Sequence, residues 1–207
     1  MFLRRIPVLS SILKIARRLY DWMLAFADKP SAPKALFWLS FAESSFFPLP
    51  PDPLLIAMGA GRPSRALRFA AITTVASVLG ALLGYLIGAY LMDSVGTYLL
   101  DIYDADRHTW GKIEDWYASY GIIALLLAAV TPIPFKVFTI ASGAMGLGFL
   151  PFVAACAVGR GARFFLEGFL LRHFGEPIVK VLDKWFDLAA IVFVAMLAGG
   201  FLLIKYL

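Results

Sequence analysis

Cysteine and histidine are almost absent from this chain. The one cysteine, Cys156, stands in an apolar run, so no intrachain disulfide can form and thiol usage says nothing about compartment. Only two histidines are present, His108 and His173, with no Cys/His cluster, which argues against a His-rich metal site. Neither histidine lies in an apolar run near a nucleophile, so Ser/His/Asp catalysis finds no support. No enzyme, metal or cofactor is expected. A long apolar run is missing from the first thirty residues despite their basic start, so no cleaved signal peptide is read there. Acids are scarce where bases gather. Residues 1–34 hold seven Lys/Arg against Asp21 and Asp28, whereas residues 93–118 hold six acids against Arg107 and Lys112. That asymmetry reads as orientation in a membrane, with a cytoplasmic N-terminus, and not as nucleic-acid binding.

What is abundant is apolar. Of 207 residues, 61% are hydrophobic, and the mean hydropathy is +0.80. Soluble domains average about 45–50% apolar residues, so a bilayer is the natural solvent for this excess. The length suits one compact membrane domain. Residues 8–28 space Leu9, Ile12, Leu13, Ala16, Tyr20, Met23 and Leu24 as one helical face, with Lys14, Arg17, Arg18 and Asp21 largely off it. Such a helix belongs in the membrane interface.

Residues 35–60 are apolar but broken by Pro48, Pro50, Pro51 and Pro53, four prolines in six residues. The arm before the break is about 20 Å long, against a hydrocarbon core of about 30 Å. Lys29 and Lys34 precede the segment, and Arg62, Arg65 and Arg68 follow it. Basic flanks on both sides predict a re-entrant hairpin entered and left from the cytoplasm. Residues 69–92 then predict a transmembrane helix whose Gly80, Gly84 and Gly88 offer a smooth packing face. Trp110, Ile113, Tyr117 and Tyr120 predict a second interfacial helix, with the Trp and Tyr side chains as interfacial anchors. Residues 121–147 form a second broken hairpin, interrupted at Thr131, Pro132, Pro134 and Lys136. Residues 149–171 cross again with Arg160 and Arg163 inside, and 186–204 form a last transmembrane helix.

The order repeats, and so do residues. The stretch 48–60 aligns without gaps to 132–144, with six identities in thirteen, including both prolines of Pro-x-Pro and Ile-Ala-x-Gly-Ala. One crossing separates the units, so the second is inverted, as in transporters built from broken helices. The same alignment sets Asp52 opposite Lys136, and pseudo-symmetry predicts that the two hairpin tips share one cavity. The expected fold is therefore an all-α integral membrane protein. It comprises an N-terminal interfacial segment (1–34), two inverted repeats (35–92 and 107–171) and a linker with a last helix (173–207).

These residues resemble the DedA family, also described as VTT or SNARE-associated membrane proteins, in its YqaA-like branch. The likeness lies in Phe41-Ala-Glu43-Ser-Ser-Phe-Phe-Pro48-Leu-Pro50-Pro51-Asp52, in Gly80-x3-Gly84-Tyr85-x2-Gly88, in Pro132-Ile-Pro134, and in Gly159-Arg160-x2-Arg163-Phe164. It covers roughly residues 35–172. It implies two opposed re-entrant hairpins and movement of lipid between leaflets, polyprenyl phosphate or phospholipid, in a bacterial inner membrane. One departure stands out. Many members carry an arginine on each side of the second loop's proline, where this chain has Ala129, Thr131 and then Lys136.

Ionisable groups inside apolar segments are functional candidates. Arg160 and Arg163 are three apart, hence on one helical face, and a guanidinium fork suits phosphate oxygens. With Lys136 they are the expected substrate-binding residues, and Glu43 and Asp52 the expected proton-coupling pair. The competing reading is that these groups pair with one another, or with Glu167, and only fix the fold. Ser44, Ser45 and Thr131 can donate to a headgroup or satisfy freed backbone. The leading expectation is a proton-coupled transporter of an anionic, phosphate-bearing lipid. A small-ion or proton-coupled secondary transporter is the runner-up, and a non-transporting membrane assembly protein the third reading. Homo-oligomerisation is left open.

Overall fold

The computed structural model describes residues 27, 29–47, 49–98, 101, 108–131 and 134–175. The expected interfacial segment before residue 27, Pro48, Pro132, the linker past residue 175 and the helix at 186–204 lie outside the described residues. All secondary structure among those described is helical. In chain order it comprises α1 (Ala32–Ser45), α2 (Asp52–Gly61), a single 3-10 turn (Pro63–Arg65), α3 (Ala66–Leu91) running on through a π turn (Met92–Gly96), α4 (His108–Val130), α5 (Phe135–Ala144) and α6 (Phe149–Phe174).

Proline places the breaks. Pro33 and Pro53 sit in the first turns of α1 and α2, where a missing N–H costs nothing. Pro50 and Pro51 stand between those helices and prevent one from continuing into the other. Asp52 opens α2, where the helix dipole favours a carboxylate. Pro134 caps the start of α5. At the other end of α5, Gly146 takes φ +63°, and Leu147 N–H reaches back to Ser142 O at 2.9 Å. That closure needs the left-handed residue that glycine supplies. An arm, a break, a ten-residue helix and a 26-residue helix thus follow one another twice, α2 and α5 being the short pair and α3 and α6 the long pair.

Two segments are long and apolar enough to cross a bilayer, Pro63–Ser94 (mean hydropathy 2.0) and Phe149–Phe174 (1.4). Their most apolar windows are only 39% and 33% buried within the protein. A soluble core helix would be mostly covered, whereas Leu86, Leu150, Val158 and Leu166 here present apolar surface outward.

The chain forms two compact units. In the first, which includes Asp52–Phe69 and the end of α6, Ala60, Ala66 and Leu171 pack with Ile56. Gly59 has no side chain because a Cβ there would stand 2.8 Å from Leu171 Cδ1. A Cβ on Gly175 would likewise lie 3.7 Å from Pro63 Cγ, so the end of α6 meets the start of α3.

The second unit, Pro33–Pro51 with Ala70–Leu166, has a core of Ala81, Leu125, Ala129, Phe135, Phe152 and Cys156. Within it α3 and α6 run antiparallel: Tyr85 stacks on Phe152, and Ser77 meets Arg160. The glycine face of α3 is where two other helices press in. A Cβ on Gly80 would collide with the Phe41 carbonyl, one on Gly84 with the Thr139 hydroxyl, and one on Gly88 with the Ile140 carbonyl. Gly143 meets the Tyr85 carbonyl in the same way. The clashes at Gly80, Gly88 and Gly143 are with backbone that has no rotamer to move. Gly88→Ala and Gly143→Ala are each expected to cost about 1–3 kcal/mol, the usual penalty of overpacking. Gly111, with nothing within 4 Å of an added Cβ, is the control. In detergent, Gly111→Ala should melt at or above the parent temperature and the other two below it.

One expectation is corrected. No separate interfacial helix precedes the second hairpin, because α4 is continuous from His108 to Val130. Composition changes near residue 121, but nothing there breaks a helix, and Gly121 instead gives room for the Tyr117 ring, which would stand 2.6 Å from an added Cβ. Tyr117 is correspondingly not an interfacial anchor. It is 5% exposed, and its hydroxyl bonds Ser142 Oγ at 2.9 Å and Phe138 O at 3.1 Å. The chain past the break therefore folds back, α5 against α4. Trp116 and Tyr120 on the same helix do face outward.

Candidate functional site

In the second unit Arg160, Glu43, Ser44 and Ser77 converge on one buried ring. Arg160 projects from α6 and is 2% exposed. Its NH2 lies 2.6 Å from Glu43 Oε2 on α1, and its Nε donates to Ser77 Oγ on α3 at 2.6 Å. Ser77 Oγ is 2.6 Å from Ser44 Oγ, and Ser44 donates to Glu43 Oε2 at 3.1 Å. Arginine can only donate, so proton directions follow. Ser77 accepts from Arg160 and gives its own proton to Ser44, which gives its proton to Glu43. The ring thus joins three helices with every donor pointed toward the carboxylate. The guanidinium is also covered on its faces by Phe135 (4.8 Å to the centroid) and Phe164 (4.6 Å).

This is the pairing weighed against substrate contact for Arg160 and Glu43. In this conformation Arg160 is held by protein groups and shielded from outside. Ser77 was not anticipated. Its signal was available, since Ser77, Gly80, Gly84 and Gly88 follow one face of α3 at spacings of three and four.

The other two expected substrate cations stand at the ends of broken helices. Lys136, half-buried on α5, donates from Nζ to the Phe47 carbonyl just past α1 at 3.3 Å. Arg163, also half-buried, donates from NH1 to the Thr131 carbonyl just past α4 at 3.0 Å. Carbonyls at a helix C-terminus lack intrahelical donors and carry the negative end of the dipole, so cations belong there. Thr139 fixes the same junction, its hydroxyl lying 3.1 Å from Ser44 O and 3.0 Å from Lys136 O. Ser45 and Thr131 turn their hydroxyls to the carbonyls of Phe41 (2.7 Å) and Leu127 (2.6 Å), the backbone-satisfying role. Asp52, at the head of α2, belongs to the first unit.

The geometry is that of a membrane protein with broken helices around buried ionic groups. A profile of the VTT domain matches residues 49–173, more than half of the chain, and the protein belongs to that family, the DedA family. An uncharacterized protein of Haemophilus influenzae is 36% identical over 191 residues, covering 90% of this chain and 97% of its own. A homologous uncharacterized protein of Histophilus somni is 33% identical over 172 residues, covering 83% and 89%. No solved structure gives a significant match.

Proposed function

We propose that the protein is a multi-pass inner-membrane transporter that moves an anionic, phosphate-bearing lipid between leaflets, coupled to protons. The observation that carries this reading is the pair of half-buried cations, Arg163 and Lys136, resting on helix-end carbonyls beside a buried Arg160–Glu43 ring. A neutral carbonyl is a weaker partner for a cation than a phosphate oxygen, which makes a charge-assisted bond. An arriving headgroup therefore draws both cations away from these carbonyls. Arg160 joins when Glu43 is protonated and gives up its share of the ring. Asp52, at a helix start, is the second coupling carboxylate.

Family membership supports a role in transport, and the repeated order of elements supports an inverted repeat with re-entrant hairpins. A specific contact supports it further. Gly59 packs at Leu171, and by the 48-to-132 alignment these positions correspond to Gly143 and Ile87. Gly143 packs against Tyr85 and Ala89, on either side of Ile87. In each unit the glycine of the short helix thus packs on a long helix near the aligned position.

The orientation has its own test. The start of α3 and the end of α6 meet, and there Arg62, Arg65, Arg68 and Arg172 are exposed. In the second unit Asp93, Asp101, Glu114 and Asp115 are exposed. The positive-inside rule then puts the arginine end in the cytoplasm. In a background in which Cys156 is replaced by alanine, Ser31→Cys and Ser64→Cys should both react with an impermeant thiol reagent from the cytoplasmic face alone. Labelling from opposite faces means that residues 35–60 span, and the re-entrant hairpin is lost. Substrate class is tested in liposomes: phospholipid or polyprenyl phosphate should change leaflet while inorganic phosphate stays out. Flux of the free anion without lipid movement would favour the small-ion transporter.

A further inference from the structure

The two cation-capped helix ends are equivalent by the repeat. Pro48 aligns with Pro132, so Phe47 aligns with Thr131, and each carbonyl just ahead of its Pro-x-Pro receives one cation from a different helix. In transporters with broken helices, such carbonyl ends hold the coupling cation. Here each end is filled by a cation belonging to the chain itself.

We propose that Lys136 is a built-in, titratable occupant of such a cation site, and that the proton on its Nζ acts as a coupling ion of the transport cycle. The inference rests on the transport reading. The two capping cations differ in one property that matters. A guanidinium remains charged at every working pH, whereas a half-buried ammonium such as that of Lys136 can give up its proton. Arg163 is therefore a fixed cap on α4 and Lys136 a switchable cap on α1. With the proton on Nζ, the charged donor holds the end of α1 against α5. When Nζ loses its proton to water, the N–H to Phe47 O contact becomes neutral, the end of α1 loses its countercharge, and the α1–α5 junction loosens. Thr139 hydroxyl, which touches both Ser44 O and Lys136 O, lies within that junction.

The groups around Lys136 set this switch. Glu43 on α1 attracts the ammonium through space while bonded to Arg160. Arg160 on α6 stacks on Phe135, the residue before Lys136, and Arg163 caps Thr131 across the break. Tyr117 on α4 is engaged with Ser142 and Phe138, and Tyr85 on α3 with Leu147 O. Residues 70–91 of α3 carry no charged side chain. Lys136 is thus the one amine in the cluster. Carboxylate titration belongs to the acid limb of a pH profile and lysine titration to the neutral-to-alkaline limb.

The test compares the parent with Lys136→Arg and Lys136→Met in liposomes, lipid translocation being followed from about pH 7 to about pH 10, the range open to a desolvated lysine. The parent rate should change by about tenfold or more across that range, and both variants should be flat. A parent that moves lipid without that slope, or a Lys136→Arg protein that keeps it, overturns the proposal. If the methionine variant fails to fold, the arginine variant decides alone, since it keeps both charge and donor. A second readout needs no transport. Only a neutral amine is acylated, so acylation of Lys136, followed by peptide mass spectrometry, reports its proton directly. Lys136 should become reactive at lower pH than the exposed Lys112. Reactivity in step with Lys112 overturns the proposal. A parent that moves no lipid, with Lys136 still reacting ahead of Lys112, supports the switch and removes the transport reading instead.

Discussion

Glu43→Gln is expected to be among the most destabilising single changes in the described part of the protein. Arg160 stays charged at 2% exposure, yet the carboxylate 2.6 Å from it is gone. Breaking a buried pair from one side costs about 3–5 kcal/mol, because the remaining charge is uncompensated. Removing both charges differs. A Glu43→Met, Arg160→Met protein leaves no buried ion and sets apolar side chains among Phe135 and Phe164, so it should recover most of the loss. Thermal melting in detergent of the parent, both single variants and the double variant measures this as a cycle. Single variants that melt like the parent would show the ring to be energetically idle. A double variant that folds but moves no lipid would show that the pair does more than hold three helices together.

The second large effect is expected at Arg163. The change to lysine keeps the charge and much of the length but loses the fork that can take two phosphate oxygens at once. A cation that merely caps Thr131 O at 3.0 Å should tolerate the change, since an ammonium also bonds a carbonyl. A cation that transfers to a phosphate should not. Arg163→Lys should therefore remain folded while translocation falls by about tenfold or more, equivalent to about 1.4 kcal/mol in the barrier. Arg160→Lys should behave otherwise. It loses the Nε donor to Ser77 and the stacking between Phe135 and Phe164, so stability falls together with activity.

Much of this arrangement was legible in the sequence because prolines and glycines act locally. Pro50, Pro51 and Pro134 mark the breaks by the backbone donors they lack, and Gly80, Gly84 and Gly88 mark the face on which α1 and α5 cross α3. What stayed hidden is tertiary. Arg160 and Arg163 share a sequence motif and a helical face, yet one is sealed inside a ring and the other caps a helix end. Glu43 and Ser77 bond the first and the Thr131 carbonyl the second, and none of the three is on α6. Tyr117 was misread for a similar reason. Its spacing with Trp110 and Tyr120 fits an amphipathic face, but the partner that buries it, Ser142, comes from the returning arm of the hairpin. The false boundary near residue 121 arose from treating a change of polarity as a break in the backbone, when a helix can continue through both.

The proposed lipid transport requires that a lipid phosphate take Arg163 from its carbonyl during passage across the bilayer. The direct measurement is leaflet access of a labelled anionic lipid in liposomes holding the purified protein, with the parent, Arg163→Lys and empty liposomes side by side. The parent should expose inner-leaflet lipid well above the empty liposomes, and the folded lysine variant should be slower by about tenfold or more. Equal rates for parent and lysine variant would contradict the role of Arg163, and parent rates no higher than those of empty liposomes would contradict lipid transport itself.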